Sequence, residues 1–157
     1  MMNDITRRTG PIPPGDIERI RSFNRFYTKQ IGLLRNGLLG SKFTLSEAHI
    51  LFEIAHSSEP TATDLVAKLG LDPGYLSRIL KSLEQRGLIL RTRSEKDGRR
   101  RLISLAKQGD RAFADLDRRA REQLEEMLRP IADGQRAALL SAIDTIQSIL
   151  GEKRVDL

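Results

Sequence analysis

The chain has 157 residues, of which 39% are hydrophobic and 31% charged, and its 27 lysines and arginines exceed its 21 acids to give a formal net charge of +6. This length suits one domain, or a small domain with an oligomerisation element, and the composition is typical of amphipathic helices. The lack of cysteine excludes a disulfide framework, a thiolate redox switch and a cysteine-based zinc site, and no apolar run approaches the roughly 18 residues of a transmembrane helix.

The N-terminal part of the chain predicts a disordered arm followed by one long helix. Residues 1–15 hold basic residues and prolines without an apolar core, so they indicate a disordered arm and no signal peptide. From near Pro14 to Gly40, apolar side chains recur at spacings of three and four, which is typical of an amphipathic helix.

Two capping-box sequences follow, each at the start of a predicted helix. Residues 44–47, Thr-Leu-Ser-Glu, place a hydroxyl and a carboxylate three positions apart before an apolar run that ends at His56. Residues 61–64, Thr-Ala-Thr-Asp, repeat this spacing with a shorter carboxylate and begin a short helix that Gly70 stops.

A third helix and a hairpin complete the central segment. Asp72 as N-cap and Pro73 at the first helical position predict a helix to about Arg86. Two β-prone runs then flank residues 94–100, in which Asp97-Gly98 is a hairpin-turn signal. We therefore expect a protruding, flexible hairpin.

Two further helices are predicted in residues 107–151. A stripe of apolar residues indicates one helix over about 107–128, and another follows over about 135–150, after the break at Pro130 and Gly134. With residues 16–40, these helices carry apolar stripes that extend beyond what the central segment can cover. Such stripes normally mark an interface, here a dimerisation interface, although an intramolecular bundle would also bury them.

The whole net charge of the chain lies in residues 73–101. Nine lysines and arginines stand against three acids in this stretch, while the remaining 18 basic and 18 acidic residues cancel. A basic helix face alone is often only a solvated surface, but here one helix and the hairpin after it share the entire excess. That distribution is typical of a protein that docks on phosphates.

The order of short helix, turn, second helix and hairpin within residues 44–105 predicts a winged helix-turn-helix, in a mainly α protein with one small β-hairpin wing. The N-terminal half of the second helix would enter the major groove, and the hairpin arginines, Arg99 above all, would enter a narrow minor groove.

Asp97 is expected to orient a neighbouring arginine, because phosphates repel a carboxylate. Thr61 and Thr63 would meet a phosphate through backbone N–H groups and hydroxyls. The predicted DNA-contacting residues are Thr61, Thr63, Gly74, Tyr75, Ser77, Arg78, Lys81, Arg93, Lys96, Asp97, Arg99 and Arg100.

The sequence LGLDPGYLSRILKSLEQRGLILRTRSEKDGRRRLISLAKQG, Leu69 to Gly109, resembles the DNA-binding core of MarR-type transcriptional regulators. Asp97-Gly98-Arg99 matches the D-x-R wing motif of that family. The family's L-T-x-x-G, at the start of its long C-terminal helix, is replaced by residues 105–109, Leu-Ala-Lys-Gln-Gly, which lack the capping hydroxyl. The resemblance covers essentially the whole chain.

The resemblance implies a homodimer in which the N- and C-terminal helices intertwine and each winged helix binds one half of an inverted repeat. It also implies a repressor that a small ligand releases from a promoter. Relatives often bind a small aromatic acid between the dimerisation helices and the winged helix, and the candidate ligand-binding residues here are Asn24, Arg25, Tyr27 and His49. We expect a cytoplasmic, nucleoid-associated regulator of double-stranded DNA, with no cofactor, no metal and no enzymatic activity.

Three alternatives stay open. Residues 23–56, with residues 71–80, are similar to MarR domains fused to a GNAT-type acetyltransferase, so the chain would then be a regulatory or targeting domain of that enzyme. A non-specific, chromatin-like binder would share the basic face. His49, Glu53 and His56 share one helical face at a spacing that suits zinc or nickel, but lone helical histidines are more often structural.

Overall fold

The computed structural model describes residues 10–32 and 38–151. Its elements in chain order are α1 (Pro14–Gln30), a 3₁₀ turn (Leu38–Gly40), α2 (Leu45–His56), α3 (Ala62–Leu69), α4 (Pro73–Gln85), β1 (Ile89–Arg93), β2 (Arg101–Leu105), α5 (Lys107–Leu128) and α6 (Asp133–Leu150). The predicted fold class, mainly α with one small hairpin, is confirmed. The chain divides into two compact units, one up to Ser46 and one from Glu47 onward. Within the described ranges, no helix has the length and apolarity needed to cross a membrane.

The first helix is shorter than the sequence predicted. The helix ends at Gln30, and Gly32 then adopts a left-handed conformation with a φ of 72°. A left-handed residue ends the run of backbone hydrogen bonds, so the apolar spacing beyond it does not extend the helix. The prediction of a single helix to Gly40 was therefore wrong at its C-terminal end. Residues 33–37, and residues 1–9 of the predicted arm, lie outside the described residues.

The helix-turn-helix of α3 and α4 begins and ends where the local signals indicated. Thr61 and Asp64 form a complete capping box at the start of α3, and Gly70, with a φ of 61°, ends it. At the start of α4, the Asp72 carboxylate accepts the Tyr75 N–H at 2.8 Å. A cap of this kind contributes about 1 kcal/mol, and each one acts between residues only three positions apart. The position of the tight turn is therefore determined locally.

The hydrophobic core of the unit from Glu47 onward lies among α2, α3, α4, the hairpin and the first turns of α5. The buried apolar side chains are Ile50, Leu51, Ile54, Leu65, Leu76, Leu80, Leu83, Leu88, Ile89, Ile103 and Leu116. Leu76, Leu80 and Leu83 lie on one face of α4, at spacings of four and three, and each is at most 1% exposed. Burying a leucine stabilises the fold by about 2 kcal/mol. These three residues fix the rotation of α4, so its opposite face points to solvent.

A backbone hydrogen bond joins the hairpin to the segment before α3. β1 and β2 are antiparallel, with Ile89 opposite Leu105 and Arg93 opposite Arg101. The Ile103 N–H donates to a backbone carbonyl in the segment before α3, that of Pro60, at 2.9 Å. The strands therefore pack against α3 and α4.

The start of α5 is set by the residue that precedes β1. The Leu88 carbonyl accepts the Ala106 N–H at 2.9 Å, and Ala106 supplies no side-chain cap to α5. The predicted loss of a capping hydroxyl is thus confirmed. Gly109, buried one turn later, lies so close to the Leu88 carbonyl that a Cβ would overlap its oxygen.

The C-terminal helices extend beyond the core. On α5, Leu116 is buried but Leu124 is 47% exposed. α6 begins at Asp133, two residues before the predicted start, and buries none of its residues within the described chain. Its exposed apolar side chains are Leu139, Leu140, Ile143, Ile146, Ile149 and Leu150.

Candidate nucleic-acid interface

The solvent face of α4 carries the residues that the sequence predicted for base recognition. The exposed residues of this face are Gly74, Tyr75, Ser77, Arg78 and Lys81. All of them lie in the first nine residues of a 13-residue helix, on the opposite side from its buried leucines. The N-terminal half of α4 is therefore polar on its solvent side and packed into the core on its other side. This arrangement is typical of a recognition helix.

Arg78 lies beside an aromatic ring on that face. Its guanidinium carbon is 6.0 Å from the centre of the Tyr75 ring, a separation at the outer limit of a cation–π interaction. The two residues are three positions apart, so they are neighbours on the helix surface. Tyr75 therefore restricts the conformations of Arg78 and directs its guanidinium along the exposed face.

The loop between the strands is closed by its own hydrogen bonds. The Ser94 N–H donates to the Arg100 carbonyl, and the Arg100 N–H to the Asp97 carbonyl, both at 2.9 Å. The Asp97 carboxylate accepts the Arg99 N–H at 3.0 Å. Asp97 thus holds the Arg99 backbone; that it orients the Arg99 side chain stays a prediction. The exposed cations of the hairpin are Arg93, Lys96, Arg99, Arg100 and Arg101.

An open cleft of about 440 Å³ separates the hairpin from the first turn of α3. The hairpin side is lined by Arg91, Arg99, Arg100 and Arg101, and the α3 side by residues 61–64. One acid, Asp64, shares this lining, and its carboxylate lies 3.7 Å from the Arg100 guanidinium. Because four arginines and one aspartate line the cleft, it is a positive concavity. We call it the arginine cleft.

Sequence reasoning left Arg91, Arg101 and Asp64 outside the predicted interface. Arg91 is opposite Ile103 in the hairpin, and directly opposed residues of an antiparallel pair project from the same face. The register would therefore have placed Arg91 on the inner side of the hairpin, but the register becomes known only with the paired strands. The Arg91 Nε lies 3.3 Å from the Glu84 carboxylate, which links the hairpin to the end of α4.

The first turn of α3 uses the polar groups of Thr61 internally. The N–H and the hydroxyl of Thr61 each donate to Asp64 Oδ2 at 2.8 Å, and the Asp64 N–H donates back to the hydroxyl at 3.2 Å. These hydrogen bonds are the main cause of a lowered pKa for the Asp64 carboxyl, with Arg100 and Lys68 contributing through their charges. A phosphate would have to displace Asp64 to reach Thr61, whereas Thr63 is exposed on the same turn. The DNA contacts of both threonines stay predictions.

The residues predicted to bind a small ligand lie on α1 and α2. Asn24, Arg25 and Tyr27 are exposed on α1, where the Tyr27 ring stacks on Phe23 with centroids 5.7 Å apart. His49 is exposed on α2. Their role in ligand binding stays a prediction.

The helical face that suggested a metal site is occupied by other contacts. The Glu53 carboxylate pairs with the Lys68 ammonium at 3.0 Å. His56 Nδ1 lies 2.8 Å from the Phe52 carbonyl. Its ring stacks on Phe52 with centroids 4.0 Å apart and meets the Phe113 ring edge-to-face at 5.7 Å. Over the described ranges, no three side chains of histidine, aspartate or glutamate form a metal-binding group. Aromatic packing accounts for His56.

Comparison with known proteins matches this arrangement to one family. Residues 43–100 match the model of the MarR family. The chain is 27% identical over 114 residues to YdgJ, an uncharacterized HTH-type transcriptional regulator of Bacillus subtilis. The aligned segment covers 69% of this chain and 70% of YdgJ.

Solved structures show the same fold at low sequence identity. Streptococcus pneumoniae FabT in complex with DNA has a TM-score of 0.75 and 22% identity, over 86% of this chain and 97% of that one. Bordetella bronchiseptica BpsR, whose DNA binding is regulated by 6-hydroxynicotinic acid, has a TM-score of 0.67 and 16% identity, over 88% and 98% of the two chains. The six helices and the antiparallel hairpin thus match the MarR winged-helix fold.

Proposed function

We propose, from the match of residues 43–100 to the MarR family model, that this protein is a sequence-specific transcriptional regulator that binds an inverted repeat in DNA as a homodimer. The observation that carries the proposal is the placement of charge. All of the net positive charge lies in residues 73–101, which form the exposed face of α4 and the hairpin around one shared core. Two basic elements at a fixed separation suit two adjacent grooves of one duplex.

Each part of this surface fits a different part of the DNA. Ser77 and Arg78, on the first turns of α4, would reach base edges in the major groove, where arginine binds guanine through two parallel hydrogen bonds. Lys81, one turn further along, would contact a phosphate. Arg99, held by Asp97 at the hairpin tip, would enter the minor groove, whose negative potential attracts arginine where the groove is narrow.

Dimerisation would cover the apolar surface that the chain leaves exposed. α6 presents a row of leucine and isoleucine side chains, each at least 37% exposed, and α1 likewise buries none of its residues. Apolar stripes of this extent normally mark an interface, and a two-fold dimer would match the symmetry of an inverted repeat. Two copies of α4 would then face two half-sites.

Regulation by a small aromatic acid is the further part of this proposal. It is supported by the fold shared with BpsR, whose DNA binding responds to 6-hydroxynicotinic acid. Asn24, Arg25, Tyr27 and His49 remain the candidate ligand residues. A thiol-based response is excluded for these 157 residues because they contain no cysteine. We propose that DNA binding occludes a promoter and that the ligand relieves this repression; the likeness to acetyltransferase-fused domains stays a prediction.

Selection of bound duplexes from random DNA tests the proposed function. We expect an enriched palindrome whose half-sites are about one helical turn apart, because each protomer supplies one α4. Affinity for the selected site should fall steeply with salt, by about 0.9 in log K per log unit of salt for each phosphate neutralised. Binding without any enriched sequence would instead identify a non-specific binder, and binding to no duplex would refute the proposal.

Replacing Arg99 by alanine tests the role of the hairpin. We expect binding to the selected operator to weaken by about 1–3 kcal/mol, measured by fluorescence anisotropy, without loss of folding, because the side chain is exposed. The loss should be largest on operators with A-tracts beside the half-sites, where the minor groove is narrow. Arg129→Ala, an exposed arginine at the end of α5, is the control and should bind as wild type does. Equal affinities for Arg99→Ala and wild type on every flank would remove the hairpin from the interface.

A further inference from the structure

The arginine cleft contains a carboxylate in a place where DNA phosphates are expected. Asp64 shares the lining with Arg91, Arg99, Arg100 and Arg101. A carboxylate at a DNA-facing surface opposes binding, because it repels the phosphates that the arginines attract. Its position therefore needs an explanation beyond the capping of α3, which an uncharged acceptor would also provide.

We propose that the arginine cleft receives one phosphate of the DNA backbone, and that Asp64 holds Arg100 in the free protein until that phosphate replaces it. The inference rests on the proposed function and adds to it a defined backbone contact and a competitor for that contact. Asp64 is thus a positioning residue that acts through Arg100. It keeps the guanidinium directed into the cleft while no DNA is bound.

The geometry of the ion pair suits such an exchange. The Arg100 nitrogen is 3.7 Å from Asp64 Oδ2, which is too far for a hydrogen bond. The same oxygen already accepts two hydrogen bonds from Thr61 at 2.8 Å. Both side chains of the ion pair are more than half exposed, so water screens the attraction and little is lost when the pair separates. A phosphate offers unengaged oxygens to the same guanidinium and can form two parallel hydrogen bonds with it.

The charge around the cleft favours a phosphate over any neutral group. Arg91, Arg99 and Arg101 line the same concavity, so a second anion entering beside Asp64 still meets a net positive potential. The hydrogen bonds from Thr61 lower the pKa of Asp64, as do the charges of Arg100 and Lys68. The carboxylate therefore stays ionised at neutral pH, where it repels the DNA phosphates.

The competition between Asp64 and the phosphate changes affinity for DNA without changing sequence preference. A phosphate contact carries no information about the base sequence, so an acid that weakens it lowers affinity for operator and non-operator DNA equally. Base contacts from α4 are unaffected. Asp64 would thus weaken binding to the operator and to non-specific sites by the same factor, and the ratio of the two affinities would stay unchanged.

The test is Asp64→Asn, assayed as the full chain on the selected operator and on an unrelated duplex of equal length. Asparagine retains an acceptor oxygen for the Thr61 N–H. We expect both duplexes to bind about three- to fivefold more tightly at low salt, with a steeper salt dependence by up to about one unit. In an Arg100→Ala background the same substitution should give a clearly smaller gain, because the residue that Asp64 restrains is gone.

Asp117→Asn is the matched control. It makes the same change in net charge on α5, where Asp117 pairs with Arg121, and should leave both affinities unchanged. If circular dichroism shows that Asp64→Asn frays the fold, Asp64→Gln replaces it, because glutamine is a preferred capping-box residue at this position. Folded variants that bind both duplexes no more tightly than wild type would overturn the inference and leave the proposed function intact. A wild-type protein that binds neither duplex would overturn both.

Discussion

Replacing Gly109 by alanine is expected to destabilise the unit from Glu47 onward by at least about 3 kcal/mol. Gly109 is buried in the first turn of α5, and a Cβ there would overlap the Leu88 carbonyl oxygen. That oxygen cannot move easily, because it accepts the Ala106 N–H at 2.9 Å. The substitution therefore has to separate α5 from the hairpin.

Two opposing effects determine whether Gly109→Ala raises or lowers the free energy of unfolding. Alanine favours a helix over glycine by about 1 kcal/mol, so in open space the substitution would stabilise α5. The free-energy cost of a clash with the backbone exceeds this gain, because the backbone is held by its own hydrogen bonds and a buried site has no room to relax. The Leu105 side chain is also in contact with the same Cβ position, at 3.4 Å. We expect the clash to dominate.

Gly134→Ala is the matched control for Gly109→Ala. Gly134 lies in the first turn of α6, and no atom lies within 4 Å of a Cβ there. This variant should be neutral or more stable by up to about 1 kcal/mol. Urea unfolding with an unchanged m-value measures both. A Gly109→Ala midpoint equal to that of wild type would show that the start of α5 is not packed against Leu88 in solution.

Replacing Arg78 by alanine should weaken operator binding by about 1–3 kcal/mol, a factor of roughly 5 to 150. Arg78 is exposed on the solvent face of α4, next to the Tyr75 ring, so its removal disturbs no core packing. Because an arginine paired with a guanine identifies that base, the variant should also accept other base pairs at one position of each half-site. Competition binding with operators changed at single positions measures both effects.

Two companion variants separate base recognition from simple charge. Arg78→Lys keeps the charge but not the planar pair of donors, so it should recover phosphate attraction without the base preference. Arg121→Ala removes an arginine that is 72% exposed on α5, outside the basic stretch, and should bind the operator as wild type does. If Arg78→Ala loses affinity equally on all operators, Arg78 contacts phosphate only. If it binds like wild type, α4 is not the recognition helix.

Helix α4 shows how much of the candidate site could be predicted from the sequence. Asp72 at the N-cap of α4 and Gly70 at the end of α3 determine the turn, because each acts through hydrogen bonds to residues a few positions away. The spacing of apolar residues in α4 then decides which face is exposed. Arg78 could therefore be assigned to the interface before its position in space was known.

The end of α1 and the arginine cleft could not be predicted in this way. Periodicity alone cannot show that Gly32 takes the left-handed conformation, since the same pattern continues beyond it. The cleft brings Asp64 next to Arg100, and these residues meet only because the Ile103 N–H bonds to the Pro60 carbonyl and holds the hairpin beside α3. Strand register and the packing of the hairpin on α3 determine that contact.

The sequence by itself therefore determined the order of the elements, the exposed face of α4 and the position of the excess charge. These properties depend on capping, turn and periodicity signals that act over a few residues. Only the tertiary structure decided that four arginines line one cleft together with Asp64, and that Gly109 has no room for a side chain. Both result from contacts between segments far apart in the chain, whose geometry arises when the core forms.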